Sequence, residues 1–364
     1  MSEKEKFKLF VKEKINIFHS LKDQLRIIIV ANKGQGQNDY VINRTMDALI
    51  RLCVKYNIHY RFFLDEREFM RYALDEIKED KPTLIYNRSI SGPLKSRRAI
   101  IPTFCNFVNL HYLGNDGYQM GLLCNKFHYY SLLKSLNVSV ADFWCYHHKH
   151  GWLNTPPPKG LKIIAKLSNE NNAQSITQNS IFLYDDDKVE SIKALSKEYD
   201  QPVVLQKFII GYEVTVPVLI DNDDIYIPNV IGGKYGNDIL FGQRVISESL
   251  LKERIHEDYR EIYYDFSEIN PLITNNIIED SKLIVKALGI RGFSRFDLRV
   301  NESFDYYFND LGSIPGMLPD SSYTFIYEKS GYTYEDFLIT TICLDIPQNP
   351  ILTNIAYSTG IKPY

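Results

Sequence analysis

Residues 25–30, Leu25-Arg26-Ile27-Ile28-Ile29-Val30, constrain the fold more than any other stretch of the chain. Four β-branched residues in succession are stiff at χ1 and suit a strand buried on both faces, as strands of a parallel sheet are. A glycine-containing loop at 33–37 and a helical pattern over 41–56 follow, then short strand-like runs at 60–64 and 83–86 separated by helices. Parallel strands need long crossovers, so this alternation predicts a parallel sheet with helices on both faces. Ahead of it, Phe7, Phe10, Val11, Ile15, Phe18 and Leu21 recur near helical spacing and predict a leading amphipathic helix.

The later pattern differs. A helix is expected over 126–136, and Pro156-Pro157-Pro158 marks a rigid surface turn. Strands are expected over 161–167, 203–208, 213–220 and 225–230, with a helix over 188–199 and a hairpin turn at 221–224. Residues 232–271 are polar and weakly periodic; an unstructured stretch that long is unusual unless it serves a site. A helix over 277–288, a hairpin of 293–300 with 306–311, and a closing helix over 334–344 complete the reading.

Composition narrows the function classes. The 364 residues are 45% hydrophobic, enough for two or three packed domains. A net charge of −3 offers no basic field for nucleic acid or anionic lipid. Five scattered cysteines without C-x-x-C spacing read as reduced thiols. The charged N-terminus and the lack of an apolar run near the roughly 20 residues of a membrane span give a cytoplasmic expectation.

Chemistry concentrates in Arg295-Phe296-Asp297, Tyr306-Tyr307-Phe308-Asn309-Asp310 and Ser313-Ile314-Pro315-Gly316-Met317. Two carboxylates at facing positions of a hairpin can converge on a hard cation, and magnesium characteristically takes one or two carboxylates plus phosphate oxygens and water. Isolated aspartates are more often solvated strand ends, so the neighbouring motifs decide between the two.

That pattern resembles the terminal signature of the D-alanine–D-alanine ligases, R-x-D followed by E-x-N-x-x-P-G-M. Further matches occur in family order. Asn125-Lys126 resembles D-K, Ile163-Ile164-Ala165-Lys166 resembles V-x-V-K, and residues 203–216 follow the hinge V-L-V-E-x-F-I-x-G-x-E-x-T-V. The resemblance covers roughly residues 102–345. It implies an α/β, three-domain ATP-grasp fold: an N-terminal parallel-sheet substrate domain (1–122), a central subdomain (123–206) and a C-terminal subdomain with the metal (207–364). It also implies an ATP-dependent carboxylate–amine ligase working through an acylphosphate, using Mg2+ with Mn2+ as a substitute. Small-molecule carboxylate and amine substrates follow, without nucleic acid or membrane, and the resemblance allows a homodimer.

Carried over residue by residue, the resemblance places Lys126 and Lys166 on phosphates and Arg295 on the transferred phosphoryl group. Leu205, Gln206 and Phe208 fall along the adenine pocket, Leu205 supplying backbone bonds to adenine, and Glu213 falls at the ribose. Asp297 and Asp310 become metal ligands, Gly316 offers a backbone N–H to the intermediate, and Ser321 holds the second substrate's carboxylate. Three departures stand out. Gly312 replaces the metal-binding asparagine. Residues 168–175 lack the glycines of the phosphate-covering loop, with Asn172 at a substrate-touching serine. Asn38 stands on or near the glutamate that anchors the first amino acid's ammonium. The expectation is therefore a ligase other than a standard D-alanine–D-alanine ligase, with that ligase itself or a catalytically weakened nucleotide-binding protein as rivals. Lys234, Arg244, Lys252 and Arg254 are equal candidates for phosphate contacts. His147, His148 and His150 read as a solvated or stacking cluster rather than a zinc site.

Overall fold

The computed structural model describes residues 2–31, 37–77, 82–89, 97–169, 176–235 and 261–344. Three sheets organise them. The first is four-stranded and parallel, in the order β2 (His59–Phe63), β1 (Arg26–Val30), β3 (Thr83–Asn87), β4 (His111–Tyr112). Every residue of β1 and β3 is buried, as the continuous apolar run predicts. Crossovers run through α2 (Gln37–Lys55), α3 (Glu66–Asp75) and α4 (Ile100–Phe107). α5 (Gly117–Leu123) leads out of this sheet into α6 (Lys126–Ser135), whose N-cap Asn125 accepts from the His128 N–H.

The second sheet is antiparallel, in the order β6 (Gly151–Trp152), β5 (Phe143–His147), β9 (Val203–Lys207), β7 (Lys162–Leu167), β8 (Ile181–Leu183). α7 (Val189–Glu198) covers one face, joining Ile192 to the core of Ile163, Leu167, Val203 and Leu205. The third sheet runs β13 (Glu261–Asp265), β12 (Ile231–Tyr235), β10 (Tyr212–Asp221), β14 (Phe293–Val300), β15 (Tyr306–Gly312), with β11 (Asp224–Tyr226) also on β10. α8 (Pro271–Leu288) packs Ile277, Ile284 and Val285 against Val216, Val218, Phe296 and Leu298 of that sheet.

Two expectations are corrected. The strand expected over 225–230 ends at Tyr226. The polar stretch 232–271 begins inside β12 and contains β13, which pair antiparallel from Ile231↔Asp265 to Tyr235↔Glu261. Glycines hid β12: a Cβ on Gly232 would lie 2.0 Å from the Tyr264 ring, so the ring's seat requires a residue that carries no β-strand signal.

The leading helix, α1 (Glu3–Leu21), is present with a full capping box between Ser2 and Glu5. It packs on α9 (Ser322–Lys329) and α10 (Tyr334–Ile342), with Phe7 edge-on to Tyr327 at 5.2 Å and Phe10 stacked on Tyr226 at 3.9 Å. Within this interface Lys14 is 1% exposed and its Nζ lies 2.5 Å from Asp221 at the end of β10. An ion pair so buried is poor evidence of net stabilisation, yet losing one partner strands the other's charge. Lys14→Ala should therefore cost about 3–5 kcal/mol. Lys14→Met with Asp221→Leu should recover most of it. Urea unfolding of the three proteins checks this; equal losses in the single and double variants would show that packing, not charge, holds the joint.

Candidate active site

The site grows from an irregularity in β15. β14 and β15 pair regularly until Asp297↔Asp310 and Leu298↔Phe308, leaving Asn309 as an extra residue on β15. Ordinary pleating would send Asn309 and Asp310 to opposite faces. The bulge instead leaves both half-exposed between the buried side chains of Phe308 and Leu311. Asp297 stands directly across from Asp310, so the two carboxylates expected to face each other on a hairpin do so.

Two lysines arrive from other elements. Lys166, near the end of β7, is 4% exposed and bonds through Nζ to Gln206 Oε1 (2.9 Å) and Asn309 Oδ1 (2.5 Å). Lys126, the first residue of α6, is 5% exposed, with Nζ 3.7 Å from Asp310 Oδ1. Tyr129 donates to the same carboxylate oxygen at 2.9 Å, and Tyr130 donates to the Asn309 carbonyl at 2.5 Å. Arg295 Nη2 meets Asp297 Oδ2 at 2.8 Å, while the Thr215 hydroxyl donates to Asp297 Oδ1 at 2.5 Å.

The electrostatics are asymmetric. Burial, reinforced by the neighbouring Lys126 cation, depresses Lys166 to about 7, with Asp310 and Glu213 pulling the other way. Burial also raises Asp297 above the usual carboxylate range, against the pull of Arg295. Asp310 feels the same penalty, yet Lys126, the Tyr129 hydroxyl, Lys166 and Arg295 together hold it below its ordinary value. The two facing carboxylates are thus shifted in opposite directions.

The remaining residues follow the hinge between β9 and β10. Gln206, 2% exposed, links Lys166 to the Tyr130 hydroxyl. Phe208 lies beneath the Arg299 guanidinium, 5.2 Å from its ring centre, and Arg299 in turn is paired with Glu213 across β14 and β10. A Cβ on Gly211 would fall 1.8 Å from the Val300 carbonyl oxygen, so only glycine lets the hinge pass β14 this closely.

Leu205 is a correction. It lies within β9 between Trp144 of β5 and Ala165 of β7, so its backbone groups point into the sheet's ladders. Lys207 and Phe208 also bond through N–H to Asp142 and Lys162. The hinge N–H groups of Lys207 and Phe208 are therefore engaged within the fold as well. Ser321 caps α9, its Oγ accepting from the Thr324 N–H at 3.3 Å. Gly316 follows Pro315, whose carbonyl accepts from Arg88, and Gly312 pairs with Arg295 across the hairpin.

The side chain of Asn38, in the first turn of α2, lies outside the described residues, as do that of Lys234 and all of Asn172, Arg244, Lys252 and Arg254. His147, His148 and His150 stack with ring centres 4.7–4.8 Å apart, and His148 and Lys149 both reach Asp200. Among the described residues no group of three or more His, Cys, Asp or Glu side chains could hold a metal. The Asp297–Asp310 pair is a smaller, all-oxygen donor set, suited to magnesium completed by phosphate and water. Sequence reasoning missed Asn309, Tyr129, Tyr130, Thr215 and Arg299. Only Asn309 left a signal there, since Phe308-Asn309-Asp310-Leu311 breaks the strand's alternation.

The chain is similar to several known proteins. Residues 183–343 match the family model described as D-ala D-ala ligase C-terminus. The D-alanine–D-alanine ligase of Streptococcus pyogenes serotype M4 is 21% identical over 298 residues, covering 77% of this chain and 78% of that one. The chain is similar to the D-alanine–D-alanine ligases, with the family model falling on its C-terminal part. Solved structures share the fold. The Bacillus anthracis D-alanine–D-alanine ligase complexed with ATP superposes with a TM-score of 0.65 at 15% identity, over 87% of this chain and 96% of that one. The VanG D-Ala:D-Ser ligase of Enterococcus faecalis gives 0.62 at 16% identity, over 88% and 99%. No helix among the described residues is long and apolar enough to cross a membrane.

The charge balance around Lys166 makes a measurable claim. With 13Cε-labelled lysine, its resonance should titrate near 7, where an ordinary lysine titrates above 10. Asp310→Asn should move that midpoint lower still, because it removes a negative charge that favours the ammonium. A Lys166 midpoint above 9 would show that water reaches the lysine in solution.

Proposed function

We propose that this chain is an ATP-grasp ligase that joins a carboxylate to an amine through an acylphosphate, with a first substrate other than D-alanine held in the usual way. The observation that carries the reading is the face-to-face pair Asp297 and Asp310, flanked by Lys126, Lys166 and Arg295. Phosphoryl transfer asks a protein chiefly for positioning and charge neutralisation, and those five side chains supply both.

Asp297 and Asp310 would hold Mg2+, which neutralises phosphate oxygens when bound. Lys126 and Lys166 face the nucleotide phosphates, and phosphate there keeps Lys166 protonated. Arg295 steadies the transferred group. The substrate carboxylate attacks the γ-phosphate, ADP leaves, and the Gly316 N–H faces the carbonyl oxygen of the acylphosphate. The amine then displaces phosphate and loses a proton. We divide the chain accordingly at about 122 and 206 into a substrate domain and two nucleotide-binding subdomains, although β9 runs one residue past the second division. Gly312 offers no ligand atom, which favours one fully coordinated metal over two and is the observation behind a second reading, a nucleotide-binding protein with weakened turnover.

Asp310→Asn should cut ATP turnover by about 100-fold or more, since charge stabilisation by a bound metal is worth several kcal/mol. The same variant should keep its circular dichroism spectrum. ADP release by the folded variant at the wild-type rate would remove the metal from this position.

The substrate claim rests on Asn38, a neutral amide that cannot replace a carboxylate as ammonium partner, because burying an unpaired cation costs several kcal/mol. With D-alanine as sole substrate, ADP release should therefore stay far below ordinary enzyme rates of about 1–1000 per second. Saturable turnover within that range would instead make the protein a D-alanine–D-alanine ligase, with Asp39 the acid to test next.

A further inference from the structure

Arg88 carries a charge that the site described so far does not use. It follows β3, is 1% exposed, and its backbone N–H bonds to the Val30 carbonyl at 2.7 Å, tying the carboxyl ends of β3 and β1 together. One guanidinium nitrogen, Nη2, donates to the Pro315 carbonyl at 2.9 Å. The other two, Nε and Nη1, are buried without a hydrogen-bond partner, and so is Nδ2 of the adjacent Asn87. Three orphaned donors on consecutive residues are costly in a folded protein, and every one of them asks for an acceptor.

No carboxylate among the described residues answers. The groups acting on the Arg88 charge are the hydroxyls of Tyr86 and Tyr334 and a second cation, Arg98. Arg98 is itself 7% exposed, with Nη1 at 3.5 Å from Ser313 Oγ. The neighbouring acid, Glu66, is engaged by Arg97 and by the Ser89 hydroxyl. Two buried guanidiniums thus grip the Ser313–Pro315 segment, immediately before Gly316, with no anion between them.

Topology points the same way independently. In the order β2-β1-β3-β4 the chain leaves β1 first toward β2 and then, on the other side, toward β3. The crevice outside the carboxyl ends of β1 and β3 is the switch point where parallel sheets receive ligands, and Arg88 stands there.

We infer that Arg88, Asn87 and Arg98 form an oxyanion subsite that holds a second anionic group of the substrate, apart from the carboxylate that is activated. The inference deepens the proposed ligase reading: the substrate is a dicarboxylic acid or a phosphorylated carboxylic acid rather than a simple amino acid. Charge-assisted bonds to Arg88 would satisfy donors that no protein group satisfies, and the binding energy would come partly from ending that deficit.

Calorimetric titration of the full chain at fixed ionic strength tests it, using succinate, inorganic phosphate and propionate as probes, each with and without MgATP. Succinate or phosphate should bind at least tenfold more tightly than propionate. Arg88→Gln should abolish that preference, and Arg98→Gln should reduce it several-fold. Preference for succinate assigns the dicarboxylate and preference for phosphate the phosphorylated substrate. Equal weak binding of all three probes overturns the subsite. So does a preference that survives unchanged in Arg98→Gln, which decides the matter if Arg88→Gln does not melt cooperatively. Failure to bind MgATP while the arginine-dependent preference persists would sink the ligase reading and leave the subsite standing.

Discussion

The arrangement depends on keeping two lysines dry. Lys126 and Lys166 are both almost wholly buried and close enough to repel, and the proposed function needs each of them available to a polyanion. A fully paired lysine would have nothing left for phosphate, whereas an unpaired one would cost too much to bury. The compromise is one shared carboxylate, Asp310, at 3.7 Å from Lys126, with neutral acceptors Gln206 and Asn309 serving Lys166.

That compromise dictates the local architecture. Lys166 comes from the second sheet, Lys126 from the start of α6, and Asp310 from the third sheet, so the elements must meet at one point. The bulge at Asn309 solves the meeting geometrically: a single extra residue turns two consecutive polar side chains toward the same face. Tyr129 and Tyr130, one turn into α6, then bond to both of those residues and lock the helix against β15. Gly211 lets the connection between the two sheets run close enough for this to happen.

The N-terminal sheet has a different logic. It supplies no acid to the described site, and its strand ends present arginine and asparagine donors instead. Arg88 and Arg98 gather positive charge beside Ser313 and Pro315, which differs in kind from an ammonium-binding pocket. On the proposed reading, the neutral Asn38 and the positive Arg88 and Arg98 favour the same kind of substrate, one richer in negative charge.

Much of this was readable from the sequence. The buried β1, the leading helix and the Asp297–Asp310 hairpin follow from local pattern, because strand burial and hairpin register are properties of neighbouring residues; the lysines were singled out only by the family resemblance. β12 and β13 were not readable, since glycines seated under Tyr264 and polar alternation look like loop until a sheet edge pairs with them. Nor were the roles of Tyr129, Tyr130, Thr215 and Arg299, each of which meets its partner from a distant stretch of chain, nor the pairing of Leu205 on both sides within the sheet. The sequence alone determined which charges the protein owns and along which strands they lie. Only the tertiary structure decided which of them are paired and which are left without an anion, because burial and the company of distant side chains set the cost of a charge.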